Sequence, residues 1–261
     1  IIPARYASTR FEGKPLAMLT GSTGARKSLI QRSWETACDV PSVDGIFVAT
    51  DDQRIADAVH NFGGQVIMTS QNCRNGTERV AEAVQKLPEP ADIVVNLQGD
   101  APLTPPWFVT ALIDEMKGDS TVEMATPVLR CDGLTLNMFR EDRRNGRVGG
   151  TTAVFDQNSD ALYFSKEVLP FTDKTYADDE QTPVYHHVGA YAYRPTSLAR
   201  YIRWPERSLE RLEGLEQLRL LEHGVKIRCV LVDAQGRVFW ELNNPVDVAR
   251  IEKVLQAKGW P

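Results

Sequence analysis

Three cationic side chains, Arg5, Arg10 and Lys14, lie within ten residues of one another in the opening stretch IIPARYASTRFEGKPL. The stretch begins with Ile1-Ile2, which predicts a buried strand that breaks at Pro3 into a polar loop. The loop also carries four small residues: Ala7, Ser8, Thr9 and Gly13. Close backbone N–H groups and cationic side chains share the charge of a polyphosphate, so the stretch favours a phosphate-binding loop. A basic surface loop is the alternative, and position alone does not decide between the two.

A carboxylate follows the most convincing central strand of the sequence. Residues 92–97 (DIVVNL) predict a strand that is apolar on both faces, and it runs directly into Gln98-Gly99-Asp100. Ligands of parallel sheets bind beyond the carboxyl ends of the strands. The opening loop and Asp100 fall at that same edge, so the sequence predicts that cations and a carboxylate converge on one ligand.

The elements between these two motifs alternate between strand and helix. Helices are predicted over residues 27–38 and from residue 76 onward, and strands over residues 45–50 and 65–68. Asp51-Asp52 stand where the N-cap of another helix is expected. This alternation predicts an α/β fold with a doubly wound, mostly parallel sheet.

After Pro105-Pro106 the pattern changes to β-like segments, turns and two charged stretches. Strands are predicted over residues 122–129, 151–155, 161–165, 189–193, 226–232 and 236–242. Residues 140–147 (REDRRNGR) are predicted to form a charged connector, and residues 173–183 are predicted to form a mobile loop. Two helices are predicted, a single one over residues 208–223 and a last one over residues 245–254. The first of them is expected to bury Leu209, Leu212, Leu215 and Leu220. We interpret 1–261 as one α/β domain that contains a smaller mixed-sheet lobe at 122–205.

Composition and charge disfavour several classes of function. The net charge is −5 and the pI is near 5.5, which argues against a non-specific binder of nucleic acid or membranes. The patterns GxGxxG and GxxxxGKS/T are absent, which disfavours dinucleotide oxidoreductases and P-loop ATPases. The four cysteines show no CxxC spacing, which predicts reduced thiols in a cytoplasmic protein.

Seven segments together resemble one known family. They stand in the order and spacing of the bacterial 3-deoxy-manno-octulosonate (KDO) cytidylyltransferases, the CMP-KDO synthetases, and the resemblance runs nearly from end to end. The segments are IPARYASTRFEGKPL, VATDD, GTER, NLQGD, ALYFSK, HHVGAYAYR and LEGLEQLRLLEHG. The sequence is identified as a divergent member of this family, with a fold of the nucleotide-diphospho-sugar transferase type.

The resemblance implies transfer of CMP to a sugar acid. The anomeric hydroxyl of a 3-deoxy-2-ulosonic acid attacks the α-phosphate of CTP and releases pyrophosphate. By the same resemblance, Arg10 and Lys14 hold the β- and γ-phosphates and form the catalytic set with Asp100. Mg²⁺ is the implied cofactor, and Asp100 and Asn243 are its ligands. The implied partners are CTP, KDO or a close analogue and a second copy of the chain, which docks through the 122–205 lobe.

The resemblance also assigns binding residues on both substrates. The nucleotide set is Arg5, Ala7, Ser8, Thr9, Gly13, Gly76, Thr77, Arg79 and Gln98, and the sugar-acid set is His187, Tyr191, Glu216, Gln217 and Lys166. Each assignment has a structural alternative. Asp100 could be a helix cap, Arg79 a partner in a surface ion pair and His187 a satisfied core histidine. Tyr191 could be a sheet aromatic, and Glu216 and Gln217 solvated helix positions.

Five departures from the family pattern fall near the implied site. Glu12 replaces a proline and adds an anion beside the proposed triphosphate, which weakens phosphate binding unless it turns away or meets a cation. Ala101 stands where relatives have Glu, residues 149–153 lack an expected lysine, and Lys166 replaces an arginine. Asn243 replaces the second metal-binding aspartate, with Asp247 as a nearby substitute.

Two other functions remain open from the sequence. The first is nucleotidyl transfer to another sugar acid or sugar phosphate on the same fold. The second is a degenerate nucleotide-binding protein without full activity, which Asn243 and Ala101 favour.

Overall fold

The computed structural model describes residues 1–8, 11–41, 43–148, 150–237, 241–242 and 244–261. The chain divides into two compact units, Ile1–Thr110 with Ala234–Pro261, and Ala111–Asp233. From residue 2 to residue 118 the elements are β1 (Ile2–Ala4), β2 (Met18–Thr20), β3 (Arg26–Ser28), α1 (Leu29–Cys38), β4 (Phe47–Thr50), α2 (Gln53–Asn61), β5 (Gln65–Met68), α3 (Gly76–Val84), β6 (Val94–Leu97) and α4 (Pro106–Gly118). The remaining elements are β7 (Met124–Asp132), α5 (Gly133–Arg144), β8 (Thr151–Phe155), β9 (Ala161–Ser165), β10 (Gln181–His187), β11 (Ala190–Tyr193), α6 (Pro195–Tyr201), α7 (Ser208–Glu213), α8 (Leu218–Glu222), β12 (Ile227–Val232) and α9 (Asp247–Ala257).

A parallel sheet in the order β1-β4-β5 organises the first unit. Ile2 pairs with Val48 and Val48 with Val66, so the three strands end at one edge. Strand β6 lies beside β1, because the Leu97 N–H donates to the Ile1 carbonyl over 3.1 Å. The opening loop and Asp100 therefore follow neighbouring strands, as the sequence predicts.

Side-chain caps start the helices of this unit immediately after its strands. Ser28 Oγ accepts from the Gln31 N–H, Asp52 from the Arg54 N–H and Asn75 from the Glu78 N–H. The helix predicted from residue 27 begins at Leu29, because residues 26–28 pair with residues 18–20 as a hairpin. Helix α9 starts at Asp247 rather than at Pro245, and its Ile251 and Leu255 pack against Leu19, Leu29, Leu103 and Leu242.

Strand β7 organises the second unit. Strands β10 and β11 pair with it antiparallel, β12 pairs with it parallel, and β8 and β9 extend the sheet beyond β10. The α/β class, with a parallel sheet and a curled mixed sheet, is confirmed. The range 122–205 lies within this unit, which extends from Ala111 to Asp233.

Two predictions in the second unit are wrong. Residues 140–144 are helical, because Asp132 caps α5 through the Thr135 N–H and α5 buries Leu136 and Phe139. The single helix predicted over 208–223 is two short helices, because Gly214 adopts a left-handed φ of 59° and ends α7. Leu212, predicted to be buried, is 81% exposed.

Two further predictions meet the structure only in part. The loop predicted over 173–183 ends earlier, since β10 already begins at Gln181. Of the strand predicted over 236–242, residues 238–240 lie outside the described residues, and residues 236, 237, 241 and 242 do not belong to a strand.

Candidate active site

Lys14 and Asp100 form the centre of the candidate site. The Lys14 Nζ lies 2.7 Å from Asp100 Oδ2, although the two residues are 86 positions apart, and their side chains are 15% and 27% exposed. Each residue follows the carboxyl end of a strand of the first unit. Thr9, Arg10 and Asn243, which the resemblance implies at the same site, lie outside the described residues.

Gly13 closes the opening loop on Tyr6. The Gly13 N–H donates to the Tyr6 carbonyl over 2.9 Å, and the Phe11 N–H donates to Ser8 Oγ over 3.4 Å. Gly13 has a left-handed φ of 66°, and a Cβ there would lie 3.0 Å from Tyr6 Cζ. The Arg54 guanidinium covers the same aromatic ring at 3.3 Å from its centroid. The loop conformation therefore depends on a glycine packed against a fixed tyrosine.

Replacing Gly13 by alanine is expected to lower the free energy of unfolding by about 2 kcal/mol and to raise the KM for nucleotide. About 1–2 kcal/mol comes from placing an L side chain at positive φ, and the contact with Tyr6 adds to it. Gly24→Ala is the matched control, since Gly24 has a φ of 78° and a Cβ added there would meet no atom within 4 Å. Urea denaturation of both variants separates backbone strain from the Tyr6 contact. Equal losses would show that the contact contributes nothing.

A cavity of about 420 Å³ opens beside this loop. Its walls include Arg5, Ala7, Ser8 and Glu12, three of which belong to the predicted nucleotide set. The volume lies in the range of small-molecule sites. Glu12 therefore lies at the cavity wall, and among the described residues Arg5 is a cation of the same wall.

The GTER and QGD segments meet at this end of the first unit. A Cβ on Gly76 would lie 3.1 Å from Gln98 Nε2, so the absence of a side chain at residue 76 lets the Gln98 amide approach closely. Thr77, in the first turn of α3, is fully buried. The backbone at Gly76 and the Gln98 amide are therefore neighbours, as a shared nucleotide site requires.

Arg79 is held inside the unit. Its side chain is 3% exposed, and Nη1 donates to Thr69 Oγ1 over 2.6 Å and lies 3.3 Å from Asp51 Oδ1. The ion pair anticipated for this residue exists, but it is buried instead of lying on the surface. Removing one partner of a buried pair leaves an uncompensated charge, which costs more stability than breaking an exposed pair.

The residues around Asp100 fit a magnesium ion held by one protein carboxylate. Mg²⁺ keeps several waters and binds one or two carboxylates together with substrate phosphates, and Asp100 Oδ1 makes no hydrogen bond to the described residues. Asp247 does not supply a second ligand, because it is 4% exposed and its Oδ2 accepts from the Asn244 N–H over 2.7 Å. Within the described ranges, no three His, Cys, Asp or Glu side chains form a metal-binding group. The Leu242 N–H donates to the Asp100 carbonyl over 2.8 Å, which brings the chain just before Asn243 to the QGD segment.

The predicted sugar-acid residues form a separate cluster in the second unit. The ring nitrogens of His187 contact Thr126 Oγ1 at 3.1 Å and Thr151 Oγ1 at 3.0 Å, and the ring stacks on Tyr191 with centroids 5.7 Å apart. Burial lowers the pKa of His187 to about 3, with a smaller contribution from His186. His187 is therefore neutral near pH 7 and holds Tyr191 in place.

The pKa of His187 predicts a loss of stability in mild acid. The unfolded histidine takes up a proton as the pH falls below about 6.5, whereas the folded one does not until about pH 3. Between pH 7 and pH 5.5 this histidine should therefore lower the free energy of unfolding by about 1.3 kcal/mol. Urea denaturation at the two pH values measures the loss. In His187→Gln the loss should shrink by that amount, and an unchanged pH dependence would contradict the pKa.

Gln217 offers a donor in this cluster. Its Oε1 accepts from the Tyr191 hydroxyl over 3.3 Å, while its buried Nε2 has no partner in the described part of the chain. An unsatisfied buried amide costs about 1–3 kcal/mol, so it marks a place where a ligand hydroxyl could bind. Lys166 lies nearby, with Nζ 3.0 Å from the position of a Cβ on Gly214. Glu216 precedes Gln217 in the same turn and is half-buried, not solvated on a continuous helix.

Sequence reasoning missed the side chains that hold this turn. Glu213 accepts from Ser165 Oγ over 2.7 Å, and Glu210 pairs with Arg219 over 2.6 Å in the interior. Glu210, Glu213 and Arg219 lie in or beside the segment LEGLEQLR. Charged residues in a helix normally indicate a face exposed to solvent, so the sequence did not mark them as buried. Only the tertiary contacts distinguish these carboxylates from surface ones.

Known proteins similar to this chain decide its family. A family model described as cytidylyltransferase matches residues 1–227. The 3-deoxy-manno-octulosonate cytidylyltransferase of Maricaulis maris is 47% identical over 259 residues, covering 99% of this chain and 97% of the relative. The chain belongs to the 3-deoxy-manno-octulosonate cytidylyltransferase family. The relative of that name from Chlamydia abortus is 41% identical, with 98% and 92% of the two chains covered.

Solved structures agree with membership of the cytidylyltransferase family. CMP:2-keto-3-deoxy-manno-octonic acid synthetase complexed with CTP has a TM-score of 0.82 and 34% identity, and the match covers 98% of this chain and 97% of that one. The 4-diphosphocytidyl-2C-methyl-D-erythritol synthase of Anaerococcus prevotii, at 13% identity and a TM-score of 0.58, shares the fold alone. The protein is accordingly a nucleotidyltransferase. Its described helices include none with the length and apolarity needed to span a bilayer.

Proposed function

We propose that the protein transfers CMP from CTP to the anomeric hydroxyl of KDO or a close analogue, with release of pyrophosphate. The observation that carries the proposal is the 2.7 Å contact of Lys14 with Asp100, and a cavity at the opening loop, lined by Arg5 and Ser8, supports it. A single ammonium and a single carboxylate at the ends of two strands suit a metal-bound triphosphate. Relatives that carry the KDO cytidylyltransferase name support the choice of substrates.

The chemistry is an in-line displacement at phosphorus. The anomeric oxygen of the sugar acid forms a bond to the α-phosphorus, and the bond from that phosphorus to the bridging oxygen of the β-phosphate breaks. The proton of the anomeric hydroxyl passes to water. Lys14 stabilises negative charge on the phosphates, and the backbone amides of the loop closed by Gly13 orient them. Asp100 would hold Mg²⁺, whose charge would neutralise the departing pyrophosphate.

The acceptor is proposed to bind in the cluster of the second unit. The Lys166 ammonium would face the carboxylate of the sugar acid, and the buried Nε2 of Gln217 would donate to a hydroxyl. A lysine binds a carboxylate as a point charge and lacks the paired donors of arginine. Affinity for the carboxylate should therefore depend on how firmly the surrounding backbone holds Lys166.

Pyrophosphate release with CTP, Mg²⁺ and a panel of acceptors tests the function. We expect turnover with KDO and none with UTP in place of CTP. Faster turnover with another sugar acid would favour the alternative transferase function. Binding of CTP without release for any acceptor would favour a degenerate nucleotide-binding protein.

Replacement of Asn243 by Asp is expected to lower the Mg²⁺ concentration needed for half-maximal rate. A carboxylate binds Mg²⁺ more strongly than an amide carbonyl, and several-fold is the expected change. Pyrophosphate release is measured across a magnesium titration, with Asn244→Asp as the neighbouring control. An unchanged midpoint would place residue 243 outside the shell of the ion.

A homodimer in the cytoplasm is the proposed setting. The dimer is proposed from the family resemblance, and the second unit exposes apolar side chains that a partner could cover: Phe171 at 86%, Leu212 at 81% and Leu162 at 60%. Light scattering on the purified protein would decide, and a monomer at micromolar concentration would contradict the dimer. The four cysteines, all free thiols, agree with a reducing compartment.

A further inference from the structure

Glu213, the last residue of α7, bonds to the end of strand β9 through three donors. Its Oε1 accepts from Ser165 Oγ over 2.7 Å and from the Tyr163 hydroxyl over 3.3 Å, and its Oε2 accepts from the Lys166 N–H over 2.8 Å. Hydrogen bonds to a charged acceptor are stronger than those between neutral groups. One carboxylate therefore fixes both the backbone of Lys166 and the end of α7.

The two segments tied by Glu213 both carry residues of the proposed acceptor site. Lys166 follows β9, and its Nζ lies against Gly214, 3.0 Å from the position of a Cβ there. Gly214 has a left-handed φ of 59° and starts the turn that leads to Glu216 and Gln217. A shift of Glu213 would consequently move the lysine and the turn relative to each other.

Other contacts hold the far side of the same turn. The buried pair of Glu210 with Arg219 joins α7 to α8 over 2.6 Å, and the Tyr201 hydroxyl donates to the Glu216 carbonyl over 3.3 Å. These contacts hold the two helices together, but they do not reach Lys166. Among the described residues, Glu213 thus joins the start of the turn directly to β9 and to the backbone of Lys166.

We propose that Glu213 is a positioning residue for the acceptor sugar acid. It holds the Lys166 ammonium and the Gln217 amide at a fixed separation, so that one ligand can use both, and it does not itself touch the substrate. The inference rests on the proposed function and goes beyond it by assigning acceptor affinity to a side chain outside the binding set.

Steady-state kinetics of Glu213→Gln, Glu213→Asp, Ser165→Ala and Tyr163→Phe test this role. In Glu213→Gln the amide cannot accept from all three donors, so the KM for KDO should rise about tenfold while the KM for CTP stays within about twofold. Ser165→Ala removes one strong donor and should raise the KM for KDO about threefold. Tyr163→Phe removes only the 3.3 Å contact and is the matched control, expected to be close to the parent. Glu213→Asp should recover part of the acceptor affinity.

The failure of the positioning role and the failure of the proposed function give different results. Thermal unfolding of each variant checks the fold, and Ser165→Ala decides the question if Glu213→Gln does not fold. An unchanged KM for KDO in Glu213→Gln or in folded Ser165→Ala, or equal rises in the KM of both substrates, would overturn the positioning role. If the parent enzyme binds KDO in calorimetry but releases no pyrophosphate, the proposed function fails. The calorimetric Kd of the variants for KDO then decides the role of Glu213 by the same thresholds.

Discussion

Asp100→Asn is expected to lower kcat by about a thousandfold. The substitution keeps the volume of the side chain and removes the charge that would hold the divalent ion against the triphosphate, an electrostatic effect of the size seen when a preorganised group is lost. Pyrophosphate release at saturating CTP, KDO and Mg²⁺ measures it. The fold should be preserved, because the contact with Lys14 is partly exposed and the Asp100 carbonyl still accepts from the Leu242 N–H.

The pair of Lys27 with Glu35 provides a matched control for Asp100→Asn. Its atoms lie 2.9 Å apart and its side chains are 22% and 35% exposed, close to the values for Lys14 and Asp100. Glu35→Gln should leave turnover unchanged and alter stability as little as Asp100→Asn does. Activity of Asp100→Asn within about tenfold of the parent would show that the metal is held elsewhere.

Lys14→Met is expected to lower kcat/KM for CTP by about a hundredfold. The methionine keeps most of the length of the side chain and removes the only cation of the described residues that contacts Asp100. The phosphates then lose a charge-assisted donor, while the Asp100 carboxylate loses its partner. Initial rates across a CTP titration measure the change. It should appear mainly in KM if Lys14 contributes to CTP binding, and in kcat if Lys14 stabilises the charge that develops on the phosphates in the transition state.

Lys14→Arg distinguishes charge from shape at this position. Arginine keeps the charge but spreads it over a planar fork, so partial recovery is expected. Lys27→Met is the control for loss of a half-buried lysine of the same unit. A CTP dependence of Lys14→Met equal to that of the parent would contradict the assignment of Lys14 to the phosphates.

The local pattern of the sequence predicted most of the first unit. Strand β5 has the predicted bounds, and the helix that begins at Gly76 and the cap at Asp52 were both expected. These features depend on hydrophobic periodicity and on capping side chains within a few residues, which the sequence displays directly. The same alternation predicted that the opening loop and Asp100 lie at one edge of the sheet.

Local pattern was insufficient where a single residue changed the path of the chain. Periodic leucines predicted one helix over 208–223, but Gly214 at positive φ divides it, and Leu212 is exposed. The charged residues 140–144 indicated a connector, yet the Asp132 cap and two buried apolar side chains make them helical. In both cases one residue, a glycine at positive φ or a capping aspartate, outweighed the average character of the segment.

The sequence by itself determined the α/β class and the family, and the resemblance carried by its motifs supplied the candidate residues for a triphosphate and a sugar acid, which stay a prediction. The sequence reveals these properties because strand-helix alternation, helix caps and short motifs depend on residues that are close together in the chain. Only the tertiary structure decided that Lys14 meets Asp100, that the Arg79 ion pair is buried and that Glu213 joins β9 to the turn before Gln217. The residues joined by these contacts are 28 to 86 positions apart in the sequence. Such pairings depend on how whole strands and helices pack, which no local pattern encodes.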